Sequence, residues 1–401
     1  MINKYVRHDR KKHDPTGARR DIAAYEAGRP LTSPIRALLD VITKGIEPEA
    51  VTPADLACLR RNCLLPLYRM VTRGADDWFD QVGIPWQGDV LMAKLLYQSQ
   101  AELLRDLLAR LPNTVPPVVL LKGMSFAQTL YPSPYSRPMR DMDILIERPF
   151  VEVVESVLRE LGFEQRSTHD QSYYDEMHHT MPFVHPERNV WVEVHTRLFP
   201  PASPLSSLSV FEVDSVFAQT RLERFGDEPI RLLSAELQFL YLIGHWSETF
   251  HDVGGIIGIL DCLFLLQKHP DLDWYWILSR LSDPQLAEYV WLMMTLLQEN
   301  GWWSFDPDFR TAVRKQLRPG YPVVAAVQRR ICEAYYVDGR MPGRVLTLSN
   351  LATLWNTLRL DCSPWLRILQ VPVNFLFPPD RTERFRPGFL WSRFRRFLFS
   401  R

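Results

Sequence analysis

Acidic side chains recur at alternate positions in two short apolar segments of the sequence. Asp141 and Asp143 stand two residues apart in DMDILIE, and Glu193 stands two residues before His195 in VWVEVHT. Both segments alternate as β-strands do, so side chains two residues apart share a face. The pattern predicts that Asp141 and Asp143 project together while Met142 faces a core. It also predicts that Glu193 and His195 share one face of a second strand.

Three carboxylates on adjacent strands form a ligand set for hard divalent cations. Such ions take oxygen ligands and can hold the phosphates of a substrate. We therefore expect Asp141, Asp143 and Glu193 to bind metal and to be catalytic in phosphoryl or nucleotidyl transfer. In the structural alternative, Asp141 caps a turn and Glu193 lies on an exposed sheet face. Asp143 then pairs with Arg137 or Arg140.

Two other polar residues interrupt apolar patterns near these acids. Lys122 ends the apolar segment VVLLKG, where an unpaired ammonium group is expensive. His195 either orients Glu193 or contacts substrate, and a hydrogen-bonded histidine of the sheet is the alternative. The spacing of His178, His179, His185 and His195 matches no zinc finger and no helical histidine pair, which argues against zinc.

The spacing of apolar residues along the chain predicts which segments are helices and which are strands. Apolar residues first recur three and four apart, as in helices, and then give way to short strand patterns that alternate with two helical segments. After a connector that follows Pro200, helical patterns resume at Leu233. The predicted organisation is a loose basic arm at 1–32, an N-terminal helical region at 33–112, an α+β core at 113–200, a helical domain at 201–320 and a C-terminal region with an Arg-aromatic tail at 321–401.

Composition limits the class of protein. The chain has 401 residues, 47 Lys and Arg against 47 Asp and Glu, and 46% hydrophobic residues. This balance excludes a disordered chain and a uniformly basic nucleic-acid coat. Five irregularly spaced cysteines indicate buried thiols in a reducing compartment. We find no pattern of a signal peptide or a spanning helix, and we expect a cytoplasmic protein.

Both ends of the chain are basic, so the body between them is acidic. Residues 381–401 hold seven arginines against Glu383, interleaved with aromatic residues. The segment could anchor the protein at a membrane surface, where apolar burial adds to attraction for anionic lipid. The favoured alternative is that this tail packs on the acidic body.

The region between the first strand and the Asp-x-Asp strand resembles the nucleotidyltransferase superfamily related to polymerase beta. More narrowly, it is similar to an uncharacterised bacterial nucleotidyltransferase family with a fixed series of short motifs, and the similarity extends more faintly to the Arg-rich end. The motifs here are Leu121-Lys122-Gly123, Tyr131-Pro132, Arg137, Asp141-Met142-Asp143 and Glu193-Val194-His195.

The resemblance implies a polymerase-beta-like core and a reaction. A nucleoside triphosphate, ATP or another, would give up its NMP to a hydroxyl or similar acceptor with Mg²⁺, or Mn²⁺, and pyrophosphate would leave. Gly123 and Ser125 would let backbone N–H groups approach the phosphates, and Lys122, Arg137 and Arg140 would supply positive charge.

The sequence does not identify the acceptor. Three classes stay open: a small molecule, a peptide or protein side chain, and an RNA end. The resemblance implies that the helices at 233–303 help to bind it. Two other functions stay open as well. One is a toxin-like or regulatory member that modifies a macromolecule. The other is a non-catalytic nucleotide-binding scaffold, because Gly-Met-Ser stands where the superfamily has Gly-Ser or Gly-Gly.

Overall fold

The computed structural model describes most of the chain between the two basic ends. The described residues are 33–48, 51–82, 85–167, 173–174, 177–248, 255–338, 354–360 and 362–376. The predicted arm at 1–32 and the Arg-aromatic tail lie outside the described residues. Within these ranges, no helix combines the length and the apolar character that crossing a bilayer requires.

A mixed sheet of seven strands lies at the centre of the described residues. Its order is β3-β4-β5-β2-β1-β7-β6. β2 runs parallel to β5 and antiparallel to β1, and β1 runs parallel to β7. The strands are β1 (Val119–Leu120), β2 (Asp141–Leu145), β3 (Glu164–Gln165), β4 (Phe183–His185), β5 (Val190–His195), β6 (Thr220–Phe225) and β7 (Glu228–Leu233). The predicted α+β class is confirmed.

The hairpin of β6 and β7 lies in the segment predicted as a connector, so the sheet extends beyond the expected boundary at residue 200. The turn between the two strands contains Gly226 with φ of +64°. β6 is an edge strand with three charged residues among its six, Arg221, Glu223 and Arg224. Its leucine, Leu222, is exposed, so the strand lacks a regular alternation of apolar and polar residues. An edge strand has one neighbour and little burial, so its sequence lacks the pattern from which a strand is predicted.

Helices precede and follow the sheet, as expected from the helical periodicity. Thr52 and Asp55 form a reciprocal cap at the start of the second helix. The helices before the sheet are α1 (Pro34–Lys44), α2 (Pro53–Arg61), α3 (Leu65–Val71), α4 (Ala75–Val82) and α5 (Gln87–Arg110).

The remaining helices connect the strands or follow the last of them. Those within the sheet region are α6 (Lys122–Thr129), α7 (Val151–Glu160) and α8 (Val213–Ala218). Those after β7 are α9 (Ala235–Glu248), α10 (Gly255–Lys268), α11 (Trp274–Ser279), α12 (Pro284–Glu299), α13 (Pro307–Lys315), α14 (Tyr321–Cys332) and α15 (Pro364–Leu376).

The two faces of the sheet meet different partners. Met142, Ile144 and Val192 are buried on one face, in a core that includes Leu104 of α5 and Val154 of α7. The opposite face looks toward the helices that follow the sheet, whose apolar residues form a larger core. The alternation of β2 therefore places its apolar residues against α5 and α7 and leaves its acids facing the later helices.

A buried ion pair fixes the loop that leads into β2. Arg137 donates from Nε and Nη2 to the two carboxylate oxygens of Asp261 on α10, at 2.9 and 2.7 Å. The Tyr131 hydroxyl donates to the same carboxylate at 2.7 Å. Asp261 is 2% exposed and Arg137 is 8% exposed. The pair joins residues 124 positions apart and holds the start of β2 against α10.

We expect Asp261→Asn to destabilise the fold strongly, because it leaves the Arg137 guanidinium buried without a counter-charge. Removing one partner of a buried pair costs about 3–5 kcal/mol. Urea unfolding followed by circular dichroism measures the change in the free energy of unfolding. Arg159→Ala is the control, since its pair with Glu155 is half exposed. Equal losses from both variants would contradict the structural role of the Asp261 pair.

Candidate active site

The parallel register of β2 and β5 brings the acidic strands together. Asp143 lies opposite Glu193, Asp141 opposite Trp191, and Leu145 opposite His195. Since both strands alternate in phase, Asp143, Glu193 and His195 project from the same face. The predicted alternation is confirmed by this register.

Asp143, Glu193 and His195 form a compact cluster of metal-ligating atoms. His195 Nε2 lies 3.2 Å from Asp143 Oδ1 and 3.5 Å from Glu193 Oε2. One ligand atom from each of the three residues lies within 4.8 Å of the others. Asp143 and His195 are buried, and Glu193 is partly exposed. The cluster therefore has an open side at Glu193.

Lys122 places an ammonium group against this cluster. Its Nζ lies 3.3 Å from Asp143 Oδ2 and 2.9 Å from His245 Nε2 of α9. It also lies 5.6 Å from the centroid of the Tyr241 ring. Burial opposes the charged form, but Asp143, together with smaller contributions from Tyr241 and the other two acids, outweighs it and raises the pKa of Lys122 above its usual value. The Lys122 side chain is thus a fixed cation for Asp143.

The local backbone explains how Lys122 reaches Asp143. The strand predicted to end at Gly123 is shorter than expected, because β1 ends at Leu120 and α6 begins at Lys122. The Leu121 N–H donates to the Asp143 carbonyl at 3.0 Å, so β1 stays tied to β2 up to the turn. Lys122 has φ of +24° and makes the turn into the helix. The chain changes direction at the lysine, beside Asp143.

The three acids have different electrostatic surroundings. Lys122 and His195 outweigh the effect of burial and hold the pKa of Asp143 well below its usual range. Contact with His195 likewise outweighs burial and lowers the pKa of Glu193. Burial raises the pKa of Asp141 to about 7, and the charges of Asp143 and Glu193 act in the same direction. Among the described residues, the Asp141 carboxylate makes no direct ion pair or side-chain hydrogen bond, and the more distant charges of Lys122 and His195 do not offset the effects that raise its pKa.

Three histidine rings surround the Glu193 side of the cluster. The ring of His195 lies 4.9 Å from that of His178 and 5.3 Å from that of His179, centroid to centroid. His179 Nε2 lies 3.9 Å from Glu193 Oε2. Burial and the charge of His195 lower the pKa of His178 to about 2, so His178 is neutral. The His178 carbonyl accepts from Thr196 N–H, which fixes this loop beside β5.

The donor set fits a divalent cation. Two carboxylate oxygens and one imidazole nitrogen converge, and the positive charge of Lys122 and of His195 already balances them. Although burial opposes it, hydrogen bonding to Asp143 and Glu193 raises the pKa of His195 to about 9. A metal ion taking the imidazole nitrogen would therefore displace a proton.

The other predicted phosphate-binding residues lie at the start of α6 and before β2. Gly123 lies beside the start of β2, because a Cβ there would be in van der Waals contact, at 3.4 Å, with Arg137 Nη1 and with the Asp141 carbonyl oxygen. Ser125 is 1% exposed, and its hydroxyl makes no hydrogen bond to a described residue. Arg137 is engaged by Asp261, whereas Arg140 is exposed and has no ion pair within the described ranges.

A cavity of about 210 Å³ lies just beyond the end of β5. The ring of Phe199 in its wall contacts Tyr241 at 5.5 Å between centroids, and Tyr241 in turn faces Lys122. Phe199 and Tyr241 thus connect the cavity wall to Lys122, and no residue of the acidic cluster itself lines the cavity. Its lining residues are Arg197, Phe199, Ser206, Phe211, Glu212 and Val213.

The fold and the site define a class: an α+β protein with carboxylates gathered on parallel strands, in an arrangement that a divalent cation would fit. The chain belongs to a protein family described as uncharacterised nucleotidyltransferase, whose family model matches residues 56–300. The match covers more than half of the chain, including every strand of the sheet and the acidic cluster. No curated protein and no solved structure matches the chain.

Sequence reasoning missed the residues that surround the acids from distant segments. His245 lies 123 positions after Lys122 in the sequence, and Tyr241 lies on the same helix, α9. The helical apolar pattern of that segment predicts burial of both side chains. The spacing of His178 and His179 fits no metal motif, so the sequence does not place these two residues at a metal site. The one signal for them was their position just before strand β4, which pairs with β5.

We expect Lys122→Met to strengthen binding of Mn²⁺ in the absence of nucleotide, because it removes a cation that competes for Asp143. The gain should be about tenfold in affinity, which corresponds to about 1.4 kcal/mol. Isothermal titration calorimetry with Mn²⁺ measures it. Lys94→Met, which removes an exposed lysine from α5, is the matched control. Weaker Mn²⁺ binding in Lys122→Met alone would refute competition between the two cations.

Proposed function

We propose that the protein is a nucleotidyltransferase that uses Mg²⁺ or Mn²⁺ to move an NMP from a nucleoside triphosphate to an acceptor. The observation that carries this proposal is the in-register pair of Asp143 and Glu193, with His195, in a chain of a nucleotidyltransferase family. Asp141, Asp143 and Glu193 would hold the metal. A bound divalent ion would offset the charge of the triphosphate and polarise the α-phosphate.

The phosphates would meet cations from two sides of the site. Arg140 is exposed beside Asp141 and can bind a phosphate oxygen without leaving another partner. Lys122 would transfer its ion pair from Asp143 to the triphosphate once a metal ion neutralises that carboxylate. The close approach of Gly123 to β2 lets the start of α6 lie beside the same phosphates. In this proposal Arg137 holds the loop through Asp261.

The residues of β5 would act on the acceptor. Glu193 has the open side of the cluster and would accept the proton of the attacking hydroxyl. His195 contacts both carboxylates and would hold Glu193 in position. The acceptor would bind in the cavity lined by Arg197 and Phe199, just after the end of β5. Gly244 of α9 has Leu205 and Phe199 directly against it, so this helix packs behind the Phe199 side of the cavity wall.

A second candidate is a nucleotide-binding scaffold without transfer activity. The observation in its favour is the ion pair of Lys122 with Asp143, since an ammonium group there can take the place of a metal ion. A toxin-like or regulatory enzyme that modifies a macromolecule differs from the main proposal only in the acceptor. We also propose a cytoplasmic location, which the five unpaired cysteines support.

We expect Asp143→Asn, Glu193→Gln and Asp141→Asn each to abolish nucleotidyl transfer, and Asp141→Asn to do so with the fold intact. Loss of a negative charge from a crowded cluster relieves repulsion in the metal-free protein, so thermal stability should not fall for Asp141→Asn. The assay incubates the protein with each labelled NTP and Mg²⁺ in cell lysate and asks which molecule becomes labelled. Glu160→Gln, which changes an exposed carboxylate at the end of α7, is the control outside the metal cluster and the cavity.

The outcomes separate the three candidates. A labelled small molecule or a labelled macromolecule identifies the acceptor class. No labelling together with measurable NTP binding would support the scaffold instead. Nucleotidyl transfer by Asp143→Asn at the level of the parent protein would refute the proposed metal site.

Once an acceptor is known, we expect Arg197→Gln to raise its KM about tenfold or more and to leave the KM for NTP unchanged. Arg197 has no ion pair within the described residues and faces the cavity, and one lost charge-assisted hydrogen bond costs about 1.5–3 kcal/mol. Steady-state kinetics with each substrate varied in turn measures the split. Arg188→Gln, which removes an exposed arginine paired with Glu102, is the control. A rise in the KM for NTP alone would instead assign the cavity to the nucleotide.

A further inference from the structure

Two histidines face each other across paired backbone segments at the open side of the acidic cluster. His179 forms an isolated antiparallel bridge with His195. The backbone hydrogen bonds run between the neighbours of this pair on both sides, one of them from Thr180 N–H to the Val194 carbonyl at 2.9 Å. His179 and His195 are therefore a non-hydrogen-bonded pair, whose side chains leave the same face and lie close together.

Glu193 adds a carboxylate to this histidine pair. It stands two residues before His195 on β5, so its side chain shares that face. Its Oε2 lies 3.5 Å from His195 Nε2 and 3.9 Å from His179 Nε2. The centroids of the two imidazole rings are 5.3 Å apart. Two imidazoles that bind one ion through nitrogens at about 2.1 Å have centroids about 5 Å apart, so the spacing suits a single ion between the rings.

The backbone contact of His179 sets which of its ring nitrogens can bind a metal. His179 Nδ1 lies 2.8 Å from the Thr180 carbonyl oxygen. A carbonyl oxygen only accepts, so Nδ1 carries the proton and the lone pair of the neutral ring is on Nε2. A metal-binding histidine typically donates its other ring N–H to a carbonyl or a carboxylate, which fixes the ring and its tautomer. His179 has this arrangement, with Nε2 toward Glu193.

His178 brings a third imidazole to the same place. Its ring centroid lies 4.8 Å from that of His179 and 4.9 Å from that of His195. Its Nδ1 is buried and has no hydrogen-bond partner among the described residues. Buried polar atoms in proteins nearly always have a partner. A ligand in this space that bonds to nitrogen would supply the partner that His178 Nδ1 lacks.

The donor atoms decide which ions this side of the cluster prefers. Mg²⁺ takes oxygen ligands in a strict octahedral geometry. Imidazole nitrogens suit transition-metal ions, and two histidines with one carboxylate are a recurrent ligand set for them. Asp141 and Asp143 offer only oxygen, whereas the side at Glu193 offers ring nitrogens from His179 and His195. The two sides of the cluster therefore suit different ions.

We propose that His179, Glu193 and His195 form a second cation site, which binds a transition-metal ion such as Zn²⁺ in preference to Mg²⁺. The spacing of the histidines in the sequence argues against zinc only because the ligands come from paired segments rather than from one helix or finger. Glu193 would be common to this site and to the site with Asp141 and Asp143.

Binding of the transition-metal ion does not depend on transfer activity. The inference rests on the proposed function only for the role of the ion, which would lower the pKa of an acceptor hydroxyl bound beside the nucleotide. The experiment therefore measures the metal and not the transfer reaction.

The test is zinc retention by the full-length protein after a chelator has removed bound metal. Equilibrium dialysis against micromolar Zn²⁺ with millimolar Mg²⁺, followed by elemental analysis, gives the zinc content per chain. We expect the parent protein to retain Zn²⁺ and His179→Ala to lower the zinc affinity about tenfold or more, since loss of even an outer partner of a ligating histidine costs roughly 10–100-fold. His269→Ala is the matched control, because His269 follows α10 outside the cluster.

A second variant and a second metal test whether the imidazole itself is a ligand. The visible absorption spectrum of bound Co²⁺ responds to its ligands, so the spectrum of Co²⁺ in the parent protein should change in His179→Gln, which keeps a polar side chain. Circular dichroism checks that both His179 variants keep their helices. Equal zinc retention by the parent and both variants would overturn the proposal, as would complete displacement of Zn²⁺ by Mg²⁺.

The outcome for zinc and the outcome for transfer are separate. Zinc retention that depends on His179, in a protein that labels no acceptor, would support this site and count against nucleotidyl transfer. Transfer with Mg²⁺ in a protein that retains no Zn²⁺ would refute this site and leave the proposed function in place.

Discussion

Two carboxylates that face the same way on neighbouring strands need a cation between them. At about 4 Å, two like unit charges repel by roughly 4 kcal/mol in the effective dielectric near a protein surface. Asp143 and Glu193 are opposite each other in the register of β2 and β5, and the metal-free fold meets the constraint with Lys122 and His195. This charge balance involves three segments: the start of α6 with Lys122, the end of β5 with His195, and the middle of α9, where His245 contacts Lys122.

The turn at Lys122 shows that the balance has a conformational cost. A positive φ at a residue other than glycine costs about 1–3 kcal/mol, and the adjacent Gly123 could have adopted it freely. The positive φ nevertheless falls on Lys122, where the turn brings the ammonium group against Asp143, and this ion pair compensates for the strain.

The limits of sequence reasoning here follow from the range of each interaction. Strand alternation depends on local neighbours, and it predicted that Glu193 and His195 share a face and that Asp143 opposes Met142. Pairing between distant segments leaves no local signal. The Asp261 partner of Arg137 is 124 positions away and the His245 partner of Lys122 is 123 positions away, so the sequence predicted neither contact. The β6 strand was missed for the opposite reason, since its exposed edge position removes the apolar alternation.

The helices after the sheet complete the site rather than merely cover it. Tyr241 and His245 of α9 enclose the Lys122 ammonium, so this charge cannot move to solvent and must stay near an anion. A metal ion that neutralised Asp143 on its own would leave Lys122 buried beside a second cation. A triphosphate that arrived alone would add negative charge to carboxylates already lacking a full counter-charge at Asp141. Metal and nucleotide together satisfy both groups, because the metal neutralises the carboxylates while the phosphates receive the ammonium. In this arrangement the buried lysine makes the two ligands depend on each other, and it does so through the same contact that holds the metal-free protein together.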